Sequence, residues 1–191
     1  MGQSDIQLLT DLYKYKLLDE QNINLMIYLR QLDPAKDIGF KYKKWMNDKE
    51  VHKYTEQKYK KHSLKDIKDF VIKKNKSKNE FLYGIFLKKT KSHIGNIKLG
   101  LINFEHKFAE ISYFLGEKEL WGKGYITKAI KEIIKIARKK KLKKLKAGLY
   151  EMNIGSKKVL EKNGFIKEAT LRSEISYRNK RYKFYIFGKI L

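Results

Sequence analysis

The feature that most constrains the fold is a pair of glycines between a strand-like run and the most regular helical pattern in the chain. Gly122 and Gly124 follow the apolar run Phe108 to Leu115 and precede the amphipathic stretch Ile126 to Lys140. Because glycine has no Cβ, a ligand can approach the backbone closely there. The helix start adds unpaired N–H groups and the positive end of the helix dipole. This arrangement predicts an anion cradle, most often for a phosphate or pyrophosphate.

The segment after this helix closes a predicted βαβ unit. Within Lys144 to Tyr150, the apolar residues Leu145, Ala147 and Leu149 alternate with others, as in a strand. Since a whole helix separates this strand from Phe108 to Leu115, the two strands are predicted to be parallel. The glycine loop then lies at the carboxyl end of the first strand, where open α/β sheets bind ligands.

The remaining strands are predicted before and after this unit. Phe81 to Leu87 and His93 to Ile102 have strand length and apolar faces. Their connections are too short for crossover helices, so they should form an antiparallel meander with the strand that precedes the loop. After the unit, Asn153 should cap a short helix ending at Lys162. Residues 165–177 and 182–190 then read as a terminal hairpin.

The first third of the chain is predicted to be mainly helical. Apolar residues at helical spacing favour helices from Asn22 to Leu32 and from Ile38 to Met46. Ser63 with Asp66 resembles the capping box of a third helix. A chain of 191 residues is long enough for one core. We therefore expect one domain over residues 1–191, with the first fifteen residues as a candidate extension.

Composition narrows the function classes. The net charge is +24, enough to attract nucleic acid, anionic lipid or phosphorylated small molecules. The basic residues are mostly lysine and are spread over the whole length, which favours a solvated surface over a specific nucleic-acid interface. The absence of cysteine excludes disulfides and thiolate metal sites, and no metal cofactor is expected. No apolar run approaches the roughly 20 residues of a membrane span, so a cytoplasmic protein without a membrane partner is expected.

The motifs, in this order, resemble the GNAT superfamily of acyl-CoA-dependent N-acetyltransferases, roughly from Leu17 to Leu191. Three stretches carry the resemblance: residues 45–51, residues 121–127, and residues 153–156 together with Asn163-Gly164-Phe165. The resemblance is closest to the branch of ribosomal-protein alanine acetyltransferases and amino-sugar acetyltransferases. It implies an α/β (α+β) fold, with a central mixed, mostly antiparallel twisted sheet, one parallel βαβ unit and helices on both faces.

The resemblance also implies acetyl-CoA as co-substrate. Gly124 matches the central glycine of the family's pyrophosphate motif, whereas Ile126 departs from the small residue expected there. For Asn153 and Ser156, a helix cap and a small packing residue are equally good interpretations. The residues expected to bind acetyl-CoA are Phe114, Leu115, Gly116, Trp121, Gly122, Lys123, Gly124, Tyr125, Ile126, Thr127, Asn153 and Ser156.

Acetyl transfer to an amine needs a neutral amine, a polarised thioester carbonyl and close alignment of the two. The resemblance implies that a backbone N–H between Phe114 and Gly116 polarises the carbonyl, where the sheet splays. Glu110 is the candidate base, because it lies in the strand that leads to the cofactor. A solvated or salt-bridged glutamate is the alternative. Glu151 and Tyr150 are the reserve candidates.

Other groups are less favoured for catalysis. Family members often have a tyrosine seven residues after the asparagine as general acid, and here that position is Leu160. Without this tyrosine, another residue or water must protonate the departing thiolate. His52 and His93 are expected to be surface residues.

The resemblance places the acceptor amine between the N-terminal helices and the final hairpin. These regions mix aromatic and cationic side chains, which suits a nucleotide-linked amino sugar. A protein N-terminus is the alternative acceptor, and a basic nucleic-acid-binding protein is the competing function. The oligomeric state stays open, with a homodimer as one option. The residues expected to bind the acceptor are Trp45, His52, Tyr54, Arg172 and Tyr177.

Overall fold

The computed structural model describes Gln7 and residues 26–191. Within these residues the strands are β1 (Ile27–Gln31), β2 (Phe81–Leu87), β3 (His93–Asn103), β4 (Phe108–Leu115), β5 (Lys144–Tyr150), β6 (Ile166–Tyr177) and β7 (Lys180–Ile190). The helices are α1 (Phe40–Met46), α2 (Leu64–Asn75), α3 (Tyr125–Lys139) and α4 (Ile154–Lys162), and short 3-10 turns span Glu56–Tyr59 and Lys118–Leu120.

The strands form one sheet in the order β1-β2-β3-β4-β5-β7-β6. Strands β1 to β4 pair antiparallel in succession, and β4 pairs parallel with β5. The mixed, mostly antiparallel sheet with one parallel βαβ unit is thereby confirmed. The last strand, β7, pairs with both β5 and β6, so it lies between them.

Helices cover both faces of the sheet, as predicted. On one face, α3 buries its apolar stripe in the larger core, where Ala129, Ile130 and Ile133 are fully buried. On the other face, α1 and α2 form a smaller core with β2, centred on Trp45 and Val71. Burial of apolar surface on both sides stabilises the sheet between its helices.

Local signals explain several helix ends. The Ser63 hydroxyl accepts a hydrogen bond from the Asp66 N–H at 3.1 Å, and the Asp66 carboxylate accepts one from the Ser63 N–H at 2.9 Å. This is the predicted capping box of α2. Asn153 caps α4 by accepting a hydrogen bond from the Ser156 N–H at 3.1 Å. Gly164, with φ of +74°, lies in the left-handed region after α4.

The prediction of a helix from Asn22 to Leu32 is wrong for the described part of that segment, which forms β1. The apolar residues Ile27 and Leu29 fit a strand face as well as a helix face. In the structure they lie opposite Leu87 and Ile85 of β2. Pairing with the open edge of β2 satisfies the backbone of this segment, a long-range effect that overrides local periodicity. The candidate extension, apart from Gln7, lies outside the described residues.

Candidate functional site

The site begins where β4 and β5 separate. The two strands pair over three residues only, from Phe108 to Glu110 of β4, whereas β4 stays paired with β3 as far as Leu115. From Ile111 onward, one side of β4 therefore has no strand partner. The predicted splay lies at the carboxyl end of β4.

Backbone alternation shows which N–H groups of β4 point into the splay. The Gly116 N–H donates to the Ile94 carbonyl of β3 at 2.8 Å. N–H groups of an antiparallel strand alternate between its two sides, so those of Tyr113 and Leu115 point away from β3. Of the segment Phe114 to Gly116 expected to supply the donor, only Leu115 thus directs its N–H into the splay.

The glycine loop lies beside this opening. Gly122 and Gly124 have φ of +75° and +85°, and Gly124 is the N-cap of α3. A Cβ at Gly122 would meet no atom of another described residue within 4 Å. The first intrahelical hydrogen bond runs from the Lys128 N–H to the Gly124 carbonyl at 3.1 Å, so the N–H groups of Ile126 and Thr127 have no acceptor inside the helix. Open space beside Gly122 and N–H groups without an acceptor inside the helix are the features that an anion cradle requires.

A cavity of about 500 Å³, here called the loop cavity, joins the splay to the glycine loop. Most of the residues expected to bind acetyl-CoA line this cavity, whereas Gly116 and Lys123 do not. Trp121 closes one side, and its indole N–H donates to the Leu115 carbonyl at 2.9 Å. The expected residues that line it are Phe114, Leu115, Trp121, Gly122, Gly124, Tyr125, Ile126, Thr127, Asn153 and Ser156.

The loop cavity is electropositive. Lys158 and Lys162 lie one turn apart on α4 and line it, and neither has an ion-pair partner within residues 26–191. Lys53 also lines it, with Glu50 at 3.7 Å as its partner. Two unpaired cations beside a helix N-terminus favour a phosphorylated ligand.

A second cavity of about 710 Å³ lies between α1, α2 and β4. We call it the histidine cavity, because His52 and His62 line it together with the lysines 60, 61 and 98. The two cavities share Thr55, Tyr113 and Phe114 in their linings. They therefore meet beside the splay of β4, where groups bound in each could react.

His52 is the most buried polar residue of the histidine cavity. Its side chain is 2% exposed, its Nδ1 lies 3.1 Å from the Thr55 hydroxyl oxygen, and its ring centroid lies 5.1 Å from that of Phe114. Its Nε2 has no hydrogen-bond partner among the described residues. Burial lowers the pKa of His52 to about 4. The nearby His62 contributes in the same direction, and Asp48 opposes the shift. The imidazole is thus neutral at neutral pH.

The expectation that His52 and His93 are surface residues is wrong. The His93 Nε2 lies 2.7 Å from the Asn96 side-chain oxygen, and Asn96 donates to the Tyr42 hydroxyl. Burial lowers the pKa of His93. The His93 ring packs against Tyr42 and Trp45 of α1, and the His52 ring packs against Phe114 of β4. Local sequence polarity cannot predict these contacts.

We expect His52 to make the protein sensitive to acid. Its pKa is about 4 when folded and 6.5 ordinarily, so between these values the unfolded chain binds a proton that the folded chain does not, and stability is lost as the pH falls. The shift corresponds to about 3 kcal/mol. Urea unfolding between pH 7 and pH 4 should show this loss in the wild type, and His52→Gln should remove it. Equal acid sensitivity in the two proteins would contradict the assignment.

Tyr113 is a site residue that no local sequence pattern predicts. It lines both cavities, and burial raises its pKa to about 12, although the nearby Ser156 side chain opposes the shift. The hydroxyl therefore stays protonated at neutral pH and can donate. Its place beside Glu110 and Ser112 in β4 was visible in the sequence, but only the splay shows that it faces the junction of the cavities.

The candidate catalytic residues lie outside both cavities. Glu110 is exposed and lies opposite Gly100 of β3 and Lys146 of β5. The Glu151 carboxylate accepts the Lys183 N–H at 2.7 Å, a contact that joins it to β7. The Tyr150 hydroxyl donates to Glu56 at 2.5 Å. None of the three lines the junction of the cavities.

The structure separates the residues expected to bind the acceptor. His52 lines the histidine cavity and Tyr54 the loop cavity. Trp45 is buried in the smaller core and lines neither. Arg172 is exposed on the edge strand β6, and the Tyr177 ring packs against the Lys58 ammonium at 4.8 Å. The hairpin thus supplies no lining residue to either cavity.

Among the described residues there is no group of acidic, histidine or cysteine side chains that could hold a metal ion. Nor does any helix within residues 26–191 combine the length and hydrophobicity needed to cross a membrane.

Comparison with known proteins identifies the family of the domain. The model of the acetyltransferase (GNAT) domain family matches residues 27–166. A probable N-acetyltransferase of Bacillus subtilis (strain 168), YjcK, is 37% identical over 98 residues, which cover 50% of this chain and 54% of the relative. An uncharacterized N-acetyltransferase of Bacillus licheniformis, p20, is 30% identical over 107 residues, covering 56% of this chain and 60% of the relative. The chain therefore spans little more than half the length of these relatives.

Solved structures support the fold. A crystal structure of spermidine N-acetyltransferase from Vibrio cholerae, in complex with CoA and spermine, aligns with a TM-score of 0.76 at 20% identity. The alignment covers 86% of this chain and 95% of that chain. At this identity the likeness concerns the arrangement of strands and helices.

Proposed function

Because the chain belongs to the GNAT acetyltransferase domain family, we propose that it is an acetyl-CoA-dependent N-acetyltransferase that acts on a primary amine. The observation that carries the proposal is the meeting of two cavities at the splay of β4. The loop cavity has the backbone N–H groups and lysines that suit a pyrophosphate, and the histidine cavity is large enough for an acceptor amine. A two-substrate transfer needs both reactants held in line at one point.

The loop cavity fits acetyl-CoA on features of this chain. The space beyond Gly122 admits a ligand to the backbone, and the N–H groups of Ile126 and Thr127 have no acceptor inside α3. Lys158 and Lys162 would pair with phosphates. The unpaired N–H of Leu115 would donate to the pantetheine arm or the acetyl carbonyl. Acetyl-CoA supplies an acetyl group activated as a thioester.

The residues at the junction would orient the reacting groups. Phe114 and Thr55 line both cavities and bound the path between them. The Tyr113 hydroxyl, protonated at neutral pH, would donate a hydrogen bond to the sulfur as it leaves. Tyr113 would thus partly replace the tyrosine acid that family members often have at the position of Leu160. Leu160 is itself 1% exposed and belongs to the larger core. Glu110 stays a candidate base only through intervening water.

Calorimetry and a thiol-release assay test the proposal. We expect the protein to bind acetyl-CoA and to release CoA thiol with one class of amine in a panel of UDP- and dTDP-linked amino sugars, polyamines, aminoglycosides and peptide N-termini. No binding at high micromolar acetyl-CoA, together with no thiol release on the whole panel, would contradict it. Release with peptide N-termini alone would instead support a protein acceptor.

For the acceptor, we propose an amine that carries a negative group, with a nucleotide-linked amino sugar as the best example. The histidine cavity has Lys60, Lys61 and Lys98 in its lining, against Asp66 as its one carboxylate among the described residues. Asp66 is engaged in the capping box of α2. A polycationic acceptor such as a polyamine would face unfavourable charge there, whereas a phosphate would be attracted.

Reversal of charge at the mouth of the histidine cavity should weaken an anionic acceptor. In the double variant Lys60→Glu/Lys61→Glu, we expect kcat/KM for a dTDP-linked amino sugar to fall about thirtyfold, because about one charge-assisted hydrogen bond is lost. The control is Lys88→Glu/Lys89→Glu, which makes the same charge change at exposed residues outside both cavities. Equal losses in the two variants would indicate long-range attraction only and would contradict a specific contact.

A further inference from the structure

Both cavities share one wall, residues 53–61, here called the cavity wall. Its first residues line the loop cavity, its later residues line the histidine cavity, and Thr55 belongs to both linings. The cavity wall contains one 3-10 turn, Glu56–Tyr59, and in the described part of the chain none of its side chains belongs to either hydrophobic core. A segment with so little apolar burial depends on the specific contacts that it makes with other elements.

Hydrogen bonds attach the cavity wall to two strands of the sheet. The Lys58 ammonium donates to the Tyr150 hydroxyl at 3.3 Å, and that hydroxyl donates to the Glu56 carboxylate at 2.5 Å. The Tyr59 hydroxyl donates to the Ser176 carbonyl at 3.2 Å. The cavity wall is thus joined to the carboxyl ends of β5 and β6.

Lys58 lies at the centre of these contacts. Its Nζ is 4.5 Å from the centroid of the Tyr150 ring, 4.7 Å from that of Tyr59 and 4.8 Å from that of Tyr177. The three rings belong to different elements, namely β5, the 3-10 turn and β6. An ammonium over an aromatic ring is attracted to it, and more strongly where water is partly excluded, as it is around the half-buried Lys58. One charged group therefore joins three elements.

The position of Lys58 affects the junction of the cavities through its neighbours. The Lys58 N–H donates to the Thr55 carbonyl at 3.3 Å, and Thr55 lines both cavities. Tyr54 lines the loop cavity and packs edge-on against Tyr150, with the ring centroids 6.3 Å apart. Lys58 itself lines neither cavity. Its effect on a bound substrate must therefore pass through the cavity wall.

We propose that Lys58 is a positioning residue for acetyl transfer: its ammonium, held between three tyrosine rings, fixes the cavity wall at Thr55 and so aligns the acceptor amine with the thioester. This inference rests on the proposed function. Lys58 does not touch the reacting atoms, and it acts by limiting the orientations that the bound amine can take. The final hairpin, which lines neither cavity, contributes to the reaction through the Tyr177 ring.

A matched pair of substitutions tests the role of the charge. Lys58→Met keeps an unbranched side chain without the ammonium, whereas Lys58→Arg keeps a cation that stacks on aromatic rings. With each amine of the panel that the wild type acetylates, we expect Lys58→Met to lower kcat about thirtyfold, because a misaligned nucleophile reacts slowly. The Kd for acetyl-CoA should stay as in the wild type, and Lys58→Arg should keep most of the activity. Lys131→Met, at an exposed lysine of α3 outside both cavities, is the control.

A double-mutant cycle tests whether Tyr177 acts through the ammonium. Tyr177→Leu removes one of the three rings. In Lys58→Met/Tyr177→Leu, we expect a loss of kcat smaller than the product of the two single losses, because both changes break the same contact. Retained turnover in Lys58→Met, equal losses in the Met and Arg variants, or single losses that multiply would each overturn the inference while leaving the acetyltransferase proposal intact.

An NMR measurement makes the outcome independent of turnover. The Thr55 methyl signal should move or broaden in Lys58→Met and keep its wild-type position in Lys58→Arg. The methyl signals of Val71, which is fully buried in the smaller core, should not move in either variant and so report an intact fold. An unmoved Thr55 signal in Lys58→Met would overturn the inference. Absence of acetyl-CoA binding by the wild type would instead overturn the proposed function, and the Thr55 signal would still decide whether Lys58 fixes the cavity wall.

Discussion

A methyl group at Gly122 should weaken acetyl-CoA binding about a hundredfold, because it would separate the pyrophosphate from the backbone N–H groups and remove about two charge-assisted hydrogen bonds. No protein atom lies within 4 Å of a Cβ at this position, so Gly122→Ala creates no clash within the described residues. The substitution still lowers the free energy of unfolding by about 1 kcal/mol, because alanine disfavours the left-handed conformation. Gly122 has this conformation, with φ of +75°. Calorimetry with acetyl-CoA and urea unfolding measure the two effects separately.

Gly164→Ala is the matched control for this prediction. Its φ of +74° gives the same backbone strain, and the nearest atom to its Cβ is the flexible Lys189 ammonium at 2.8 Å. Gly164 lies at the corner between α4 and β6, outside both cavities. We expect the same loss of stability with unchanged affinity for acetyl-CoA. If both variants bind acetyl-CoA as the wild type does, the glycine loop is not the pyrophosphate cradle.

Gly116→Ala should have the largest effect on folding. Its Cβ would lie 2.1 to 2.5 Å from three atoms of the Trp45 ring, which is 5% exposed in the smaller core. The neighbouring side chains cannot move aside, so we expect the free energy of unfolding to fall by about 3 kcal/mol. This value is at the upper end of the range for overpacked cores. The displaced end of β4 would also disturb the Leu115 N–H, and acetyl-CoA binding should weaken. Urea unfolding measures the first effect and calorimetry the second.

Two further variants check the cause. Gly39→Ala, where a Cβ meets no atom within 4 Å in the part of the chain that the structure describes, should change stability by less than about 0.5 kcal/mol. The double variant Gly116→Ala/Trp45→Phe should be less destabilised than the sum of its single changes, because the smaller ring frees space for the methyl. Additive losses would show that contact with Trp45 is not the source of the effect.

Local patterns predicted most of the secondary structure. The bounds of β2, β4 and β5 agree with the predicted strands, and α3 begins one residue earlier than expected. These segments have clear apolar periodicity and end at glycine, asparagine or polar turns, so the sequence next to them determines where they stop. The apolar spacing of β1 wrongly predicts a helix, because this edge strand is stabilised by pairing with a segment more than fifty residues away.

The candidate site also has a part that the local sequence predicts and a part that depends on long-range packing. The glycine loop at the start of α3 and the helix cap at Asn153 could be predicted, because both depend on backbone conformation and on residues three or fewer positions away. Glu110 was favoured as a base because it shares a strand with Phe114, but the register with β3 and β5 leaves it exposed outside the cavities. Tyr113 could not be predicted as a junction residue, because only the packing of distant segments places it in the linings of both cavities.

The sequence by itself determined the βαβ unit, since the unit follows from short-range periodicity and helix ends, and its ordered motifs identified the family by resemblance. Only the tertiary structure decided that β4 and β5 separate after three residue pairs, that β7 lies between β5 and β6, and that two cavities meet at Thr55, Tyr113 and Phe114. These features depend on strand register and on packing between segments far apart in the chain. A pKa of about 4 for His52 arises in the same way, because desolvation is a property of the surroundings and not of the residue.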